Sequence, residues 1–146
     1  MNTRLLPVLA AEDEDSDRLI LSLGFQRAGL RNPLVVVKDG QEAMEYLAGA
    51  GCYGDRETYP LPALLLLDLK MPRMSGFDVM AWVAARPEFR RIPLVVLSSS
   101  SDASDMERAR QMGAAEYLVK PHAFSDLVNM IRSLEKRWLS TSETEE

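Results

Sequence analysis

The stretch Ala63-Leu64-Leu65-Leu66-Leu67-Asp68 constrains this chain more than any other. An apolar run that short reads as a strand buried on both faces, as in a parallel sheet with helices on either side. Such a strand has no reason to stop on a carboxylate unless its end faces something that wants one. Leu69-Lys70-Met71-Pro72 follows, and Pro72 forbids an immediate helix. Ser75 supplies an N-cap for a helix opening at Gly76 or Phe77. Asp68 is therefore predicted at the carboxyl end of a central parallel strand, where open α/β sheets place their ligands.

The rest of the chain repeats the alternation. Leu5 to Ala11 predicts a first strand, closed by Glu12-Asp13-Glu14-Asp15. Asp15 or Ser16 is placed to cap a helix running to about Ala28, where Gly29 stops it. Leu19, Ile20, Leu21, Leu23 and Phe25 do not define one buried face for that helix. Pro33 to Val37 is a β-branched strand closed by Asp39-Gly40, and Ala43, Met44 and Leu47 then share a helical face. Phe77, Met80 and Val83 or Ala84 mark a third helix, and Pro93 to Leu97 a strand ending at Ser98. Met106, Ala109 and Met112 mark a fourth helix stopped by Gly113. Glu116 to Val119 is a strand ending on Lys120-Pro121, and Leu127, Met130 or Ile131, Leu134 and Trp138 mark the last helix. Five strands alternating with five helices predict an α/β three-layer sandwich, and right-handed crossovers favour the flavodoxin-like strand order 2-1-3-4-5.

Residues 48–62 carry Gly49, Gly51, Gly54, Pro60 and Pro62 and exceed the usual αβ connection of roughly 2–6 residues. A surface insertion is preferred slightly over a partner-contacting loop. One domain over 1–139 is expected, followed by a frayed acidic tail over 140–146. The formal net charge of −5 disfavours a nucleic-acid partner. Cys52 is the single cysteine, which excludes an internal disulfide and fits a reducing compartment. No apolar run approaches the ~18 residues of a membrane span, and the first residues lack the apolar region of a signal peptide. A cytoplasmic protein that does not enter the membrane is expected.

In a parallel sheet all strands point one way, so Glu12, Asp13, Asp68, Ser98 and Lys120 share one rim. Carboxylates gathered there repel unless a cation joins them, and Mg²⁺ suits oxygen ligands while keeping positions open for phosphate. Lys120 supplies a mobile point charge for a phosphoryl oxygen, Ser98 a hydrogen bond to another, and Asp68 a nucleophile. Metal, nucleophile and cationic clamp are the parts of a phosphoryl transfer.

The set Glu12-Asp13, Asp68 with Met71-Pro72 and Gly76, Ser98, and Lys120-Pro121 resembles the response-regulator receiver domain of two-component signalling, from about Leu5 to Leu139. The resemblance implies a single-domain regulator that takes a phosphoryl group from a sensor histidine kinase's phosphohistidine onto Asp68. It implies Asp13 and Asp68 as direct Mg²⁺ ligands, the Lys70 backbone carbonyl as a further ligand, and Glu12 acting through metal-bound water. Ser98 and Tyr117 match the family's switch pair, and the Lys120–Pro121 peptide is expected to be cis. The Glu-Asp pair, the long loop and the ending Arg137-Trp138-Leu139 resemble the stand-alone regulators that partner phytochrome-type photoreceptor kinases. A homodimer through the last two helices and their strand, helped by Leu139 and the long loop, goes with that branch. No DNA-binding or enzymatic output domain is expected after the receiver.

Two departures stand out. His122 follows Pro121 where many receivers carry Phe, and Lys70 and Ser100 occupy positions that tune acyl-phosphate lifetime in the family. His122 is expected behind the site or on the surface, and Met80, Met106, Met112 and Met130 in the core. Glu14 and Asp15 are expected bystanders, Ser99 to Ser101 loop and capping residues, and Trp138 a hydrophobic lid. Two other classes compete with the signalling reading. A small aspartyl-phosphate phosphohydrolase needs a second acid or base beside the nucleophile, where this chain has Lys70, and commonly a cap domain. An interaction-only pseudo-receiver would not need the intact acidic pair, Asp68 and Lys120.

Overall fold

A computed structural model describes residues 5–139. The strands are β1 (Val8–Ala11), β2 (Leu34–Val37), β3 (Leu64–Leu67), β4 (Leu94–Ser98) and β5 (Glu116–Val119). The helices are α1 (Asp15–Ala28), α2 (Gly40–Ala48), α3 (Gly76–Ala84), α4 (Ala103–Gln111) and α5 (Phe124–Leu134), the last continued by a wide turn over Glu135–Leu139. All strand pairs are parallel in the order β2-β1-β3-β4-β5, as the alternation predicts.

The leucine run explains how both layers of helices are held. Side chains alternate across a strand, so Leu65 and Leu67 enter the core formed with α2, α3 and Ala109 of α4. Leu64 and Leu66 enter the opposite core, with Leu21 and Phe25 of α1 and Leu127, Ile131 and Leu134 of α5. β1 and β4 divide their residues the same way: Leu9 and Val96 on one side, Val8 and Val95 on the other.

The ends of the helices are set locally. Gly29 takes the left-handed conformation (φ 74°) that terminates α1. Glu14, rather than Asp15 or Ser16, occupies the cap position of α1 and makes no side-chain cap bond. Asp39 does more than close β2, since its carboxylate accepts the Glu42 N–H at 2.8 Å and caps α2. At α3, Ser75 and Asp78 form a reciprocal capping box. The α1 face is settled by packing: Leu21, Gly24 and Phe25 are buried, while Leu19, Ile20 and Leu23 are exposed.

The 48–62 connection is folded down rather than loose. Tyr46, Tyr53 and Tyr59 meet as tilted and edge-to-face rings 5.0–6.0 Å apart. Arg56 donates to the carbonyls of Tyr46, Leu47 and Tyr59, which satisfies the open end of α2.

Two further expectations change. Among the described residues no peptide is cis, so the Lys120–Pro121 bond is trans. The two isomers of an X–Pro bond differ by only about 0.5–1 kcal/mol, so the dipeptide does not by itself decide the isomer. Leu139 is fully buried with α1 and α5 in this chain, which removes it as a free interface residue. Trp138 packs half-buried against the core as the expected lid, and its indole N–H donates to Glu116 at 2.9 Å, which ties it to β5. The 140–146 tail lies outside the described residues.

Candidate functional site

Five parallel strands deliver their ends to one rim, and the sequence places polar groups just past three of them. Glu12 and Asp13 follow β1, Asp68 follows β3 and Lys120 follows β5. β1 and β3 are direct neighbours, with Ala11 beside Leu67, so the acidic pair and Asp68 are brought side by side. One oxygen from each of Glu12, Asp13 and Asp68 lies within 4.8 Å of the others. Glu12 and Asp68 are buried. Three convergent carboxylates, two of them out of water, form a donor set suited to a hard divalent cation.

Gly76 makes room for the nucleophile candidate. A Cβ at that position would stand 2.4 Å from the Asp68 carbonyl oxygen, so the start of α3 presses against the end of β3. The Gly76 N–H donates to Leu69 at 2.9 Å and the Lys70 N–H to Asp68 Oδ1 at 3.3 Å, which together fix the turn.

Lys120 is the hub. Its Nζ donates to Glu12 Oε1 at 2.6 Å, to Asp68 Oδ2 at 3.1 Å and to Asp17 Oδ2 at 3.2 Å. Burial works against the Lys120 charge, but Glu12 and Asp68 outweigh it and hold its pKa above the ordinary lysine value. Burial lifts the Glu12 carboxyl to about 7 against the pull of Lys120, and the Asp68 charge adds to the lift. Asp17 is the member that the sequence reading misses. Its only signal there is a place in the first turn of α1, just after the rim carboxylates.

Ser98 ends β4, next to β3, and is fully buried. Its Oγ accepts the Ser100 N–H at 3.1 Å. The Tyr117 hydroxyl donates to the Ser100 carbonyl at 2.9 Å, so Ser98 and Tyr117 touch the same loop from two sides. The Ser100 hydroxyl in turn donates to Asp105 of α4 at 2.7 Å. His122 is exposed. A cavity of about 240 Å³ opens between α1 and α5, lined by the polar Glu12, Asp17 and Lys120 and by the apolar Ile20, Phe124 and Leu127.

Comparison with known proteins agrees with this geometry. The family profile of the response regulator receiver domain matches residues 8–132. The response regulator Rcp1 of Synechocystis sp. is 32% identical over 92% of this chain and 89% of its own length. The Mn²⁺-bound form of Rcp1 superposes with a TM-score of 0.80 at 32% identity, covering 93% of this chain and 96% of that one. RPA3017, a response regulator in red light signaling of R. palustris, has a TM-score of 0.88 and 39% identity, covering 94% and 96%. The phosphorylated cyanobacterial phytochrome response regulator RcpA has a TM-score of 0.84 and 31% identity over the same shares. Receiver domains partner histidine kinases and bind a divalent metal in an acidic pocket, the kind of pocket that Glu12, Asp13 and Asp68 form here. No described helix is long and apolar enough to cross a membrane. The chain belongs to the response regulator receiver domain family.

Proposed function

We propose that this chain accepts a phosphoryl group on Asp68 from a sensor histidine kinase in a Mg²⁺-dependent reaction, and signals by changing what its surface binds. The observation that carries this reading is the Lys120 ammonium bridging Asp68 and Glu12 at a rim where Asp13 also converges. Asp13, Asp68 and the Lys70 carbonyl would hold the ion directly, and Glu12 through water. When bound, Mg²⁺ supplies positive charge that offsets the phosphoryl oxygens against the carboxylates.

A carboxylate oxygen of Asp68 attacks phosphorus as the P–N bond of phosphohistidine breaks. The electron pair stays on the imidazole nitrogen, which takes a proton from water. Lys120 takes one phosphoryl oxygen. The Ser98 hydroxyl has a proton to donate to another, because its bond from Ser100 uses only an acceptor position. A shift of the Ser98–Ser100 loop then alters the bond from Tyr117 and, through Asp105, the start of α4. Output by binding fits Lys70, which stands two residues after Asp68 where an aspartyl-phosphate phosphohydrolase needs an acid or base.

Exposed Ile20 on α1 and Phe124 on α5 line the cavity, and with Leu19 and Leu23, also exposed on α1, they suit a protein donor better than a small phosphate ester. The likeness to Rcp1, RPA3017 and RcpA supports a phytochrome-type photoreceptor as that kinase, and the lone Cys52 fits a reducing cytoplasm as the compartment. The same branch supports a homodimer over α4, the edge strand β5 and α5. Sedimentation should show a dimer at high concentration, and a monomer with and without phosphorylation would exclude it.

The phosphoryl acceptor is tested by intact-protein mass after incubation with acetyl phosphate and Mg²⁺. One added phosphoryl group is expected, absent from Asp68→Asn and from an EDTA control. A well-folded wild type that gains no mass would leave the interaction-only reading.

A further inference from the structure

An ammonium has three protons to donate and no lone pair to accept with. In this structure Lys120 has spent all three, on Glu12, Asp68 and Asp17. An incoming phosphoryl oxygen can reach Lys120 only by displacing one of these carboxylates. They are not equally easy to displace. Glu12 makes the shortest bond, 2.6 Å, and its side chain is only 6% exposed, so releasing it strands a buried carboxylate. Asp68 is the group to be phosphorylated and stays in place. Asp17 makes the longest bond, 3.2 Å, and its side chain is 37% exposed, so water takes over its hydrogen bonds at little cost.

Asp17 also stands apart from the three carboxylates that converge for a cation, which are Glu12, Asp13 and Asp68. It sits in the first turn of α1, which favours its charge, and lines the cavity beside Lys120. Its contact in the site is with the lysine.

We infer that Asp17 is a positioning residue that occupies, in the resting state, the lysine proton later given to the phosphoryl group, and so restrains phosphorylation. It competes for Lys120 and repels the anionic donor at the mouth of the site. This rests on the reading of Asp68 as phosphoryl acceptor. Removing the Asp17 charge leaves Lys120 held by Glu12 and Asp68 and reduces its third bond to a neutral one, which the phosphoryl oxygen displaces more easily.

The test compares the second-order rate of phosphorylation of wild type, Asp17→Asn and Asp17→Glu, read by intact mass at saturating Mg²⁺. Two donors are used: acetyl phosphate, a dianion at neutral pH, and phosphoramidate, which carries less negative charge. Asp17→Asn should be faster with acetyl phosphate by about two- to fivefold, the range of a partly exposed ion pair. The gain should be smaller with phosphoramidate and should shrink in high salt. Asp17→Glu, which keeps the charge, should follow wild type. Circular dichroism confirms that each variant is folded. A purely structural role would slow both donors alike and leave the salt response unchanged. An Asp17→Asn rate equal to or below wild type with acetyl phosphate overturns the inference while the acceptor role of Asp68 stands. A wild type that takes no phosphoryl group from either donor overturns that role, and this inference with it.

Discussion

Glu12 shows how one buried side chain can set the pH response of a site. Its carboxyl is raised to about 7, first by burial and then by the charge on Asp68. A carboxyl whose folded pKa lies above its unfolded value binds protons more tightly when folded. Its contribution to stability is therefore full below the unfolded value and is lost as pH rises through about 7. In EDTA, wild type should lose stability between pH 6 and pH 8, and Glu12→Gln should lose less over the same interval. Urea unfolding at the two pH values measures the difference. An equal pH response in the two proteins would show that the charged form of Glu12 is not the costly one. Cation binding opposes this trend, because the ion repays the charge that burial penalises.

At the scale of elements, the joint between β3 and α3 carries the most demanding fit. A methyl group on Gly76 meets backbone on two sides, the Asp68 carbonyl at 2.4 Å and the Leu69 Cα at 2.9 Å, and neither can rotate away. On Gly24 it would meet Ile131 Cδ1 at 2.9 Å and Leu127 Cδ2 at 3.1 Å, the tips of side chains that can turn. Gly76→Ala should therefore lose about 1–3 kcal/mol by overpacking and displace Asp68 from the other carboxylates. Gly24→Ala should lose less, because alanine in a helix interior returns about 0.8–1 kcal/mol. Paired urea titrations rank the two, and acetyl phosphate labelling shows whether only Gly76→Ala also slows phosphorylation. A Gly76→Ala protein as stable and as reactive as wild type would mean that the joint has slack.

Over the whole molecule, what could be read from the chain follows from range. The leucine run, Gly29 and Ser75 act through neighbours a few residues away, and each did in the fold what its chemistry predicts. The strand ends became legible as one site because parallel topology turns five distant positions into one rim. Contacts that depend on packing stayed out of reach. The docking of α1 onto the sheet and α5 decides that Leu21 and Phe25, rather than Leu19 and Leu23, face inward. The tyrosine cluster of the 48–62 connection and the hydrogen bond from Lys120 to Asp17 need side chains brought together across the fold. Leu139, expected to help a dimer contact, is drawn inside by the wide turn after α5.

The 48–62 connection leaves α2 and enters β3 at the end of that strand opposite Asp68. The chain's single cysteine, Cys52, is exposed on it, just before Tyr53. The protein thus carries its own attachment point: one thiol, on a pinned segment, at the end of the molecule away from the chemistry. A dye, spin label or surface tether coupled there reports on the whole receiver without an engineered residue.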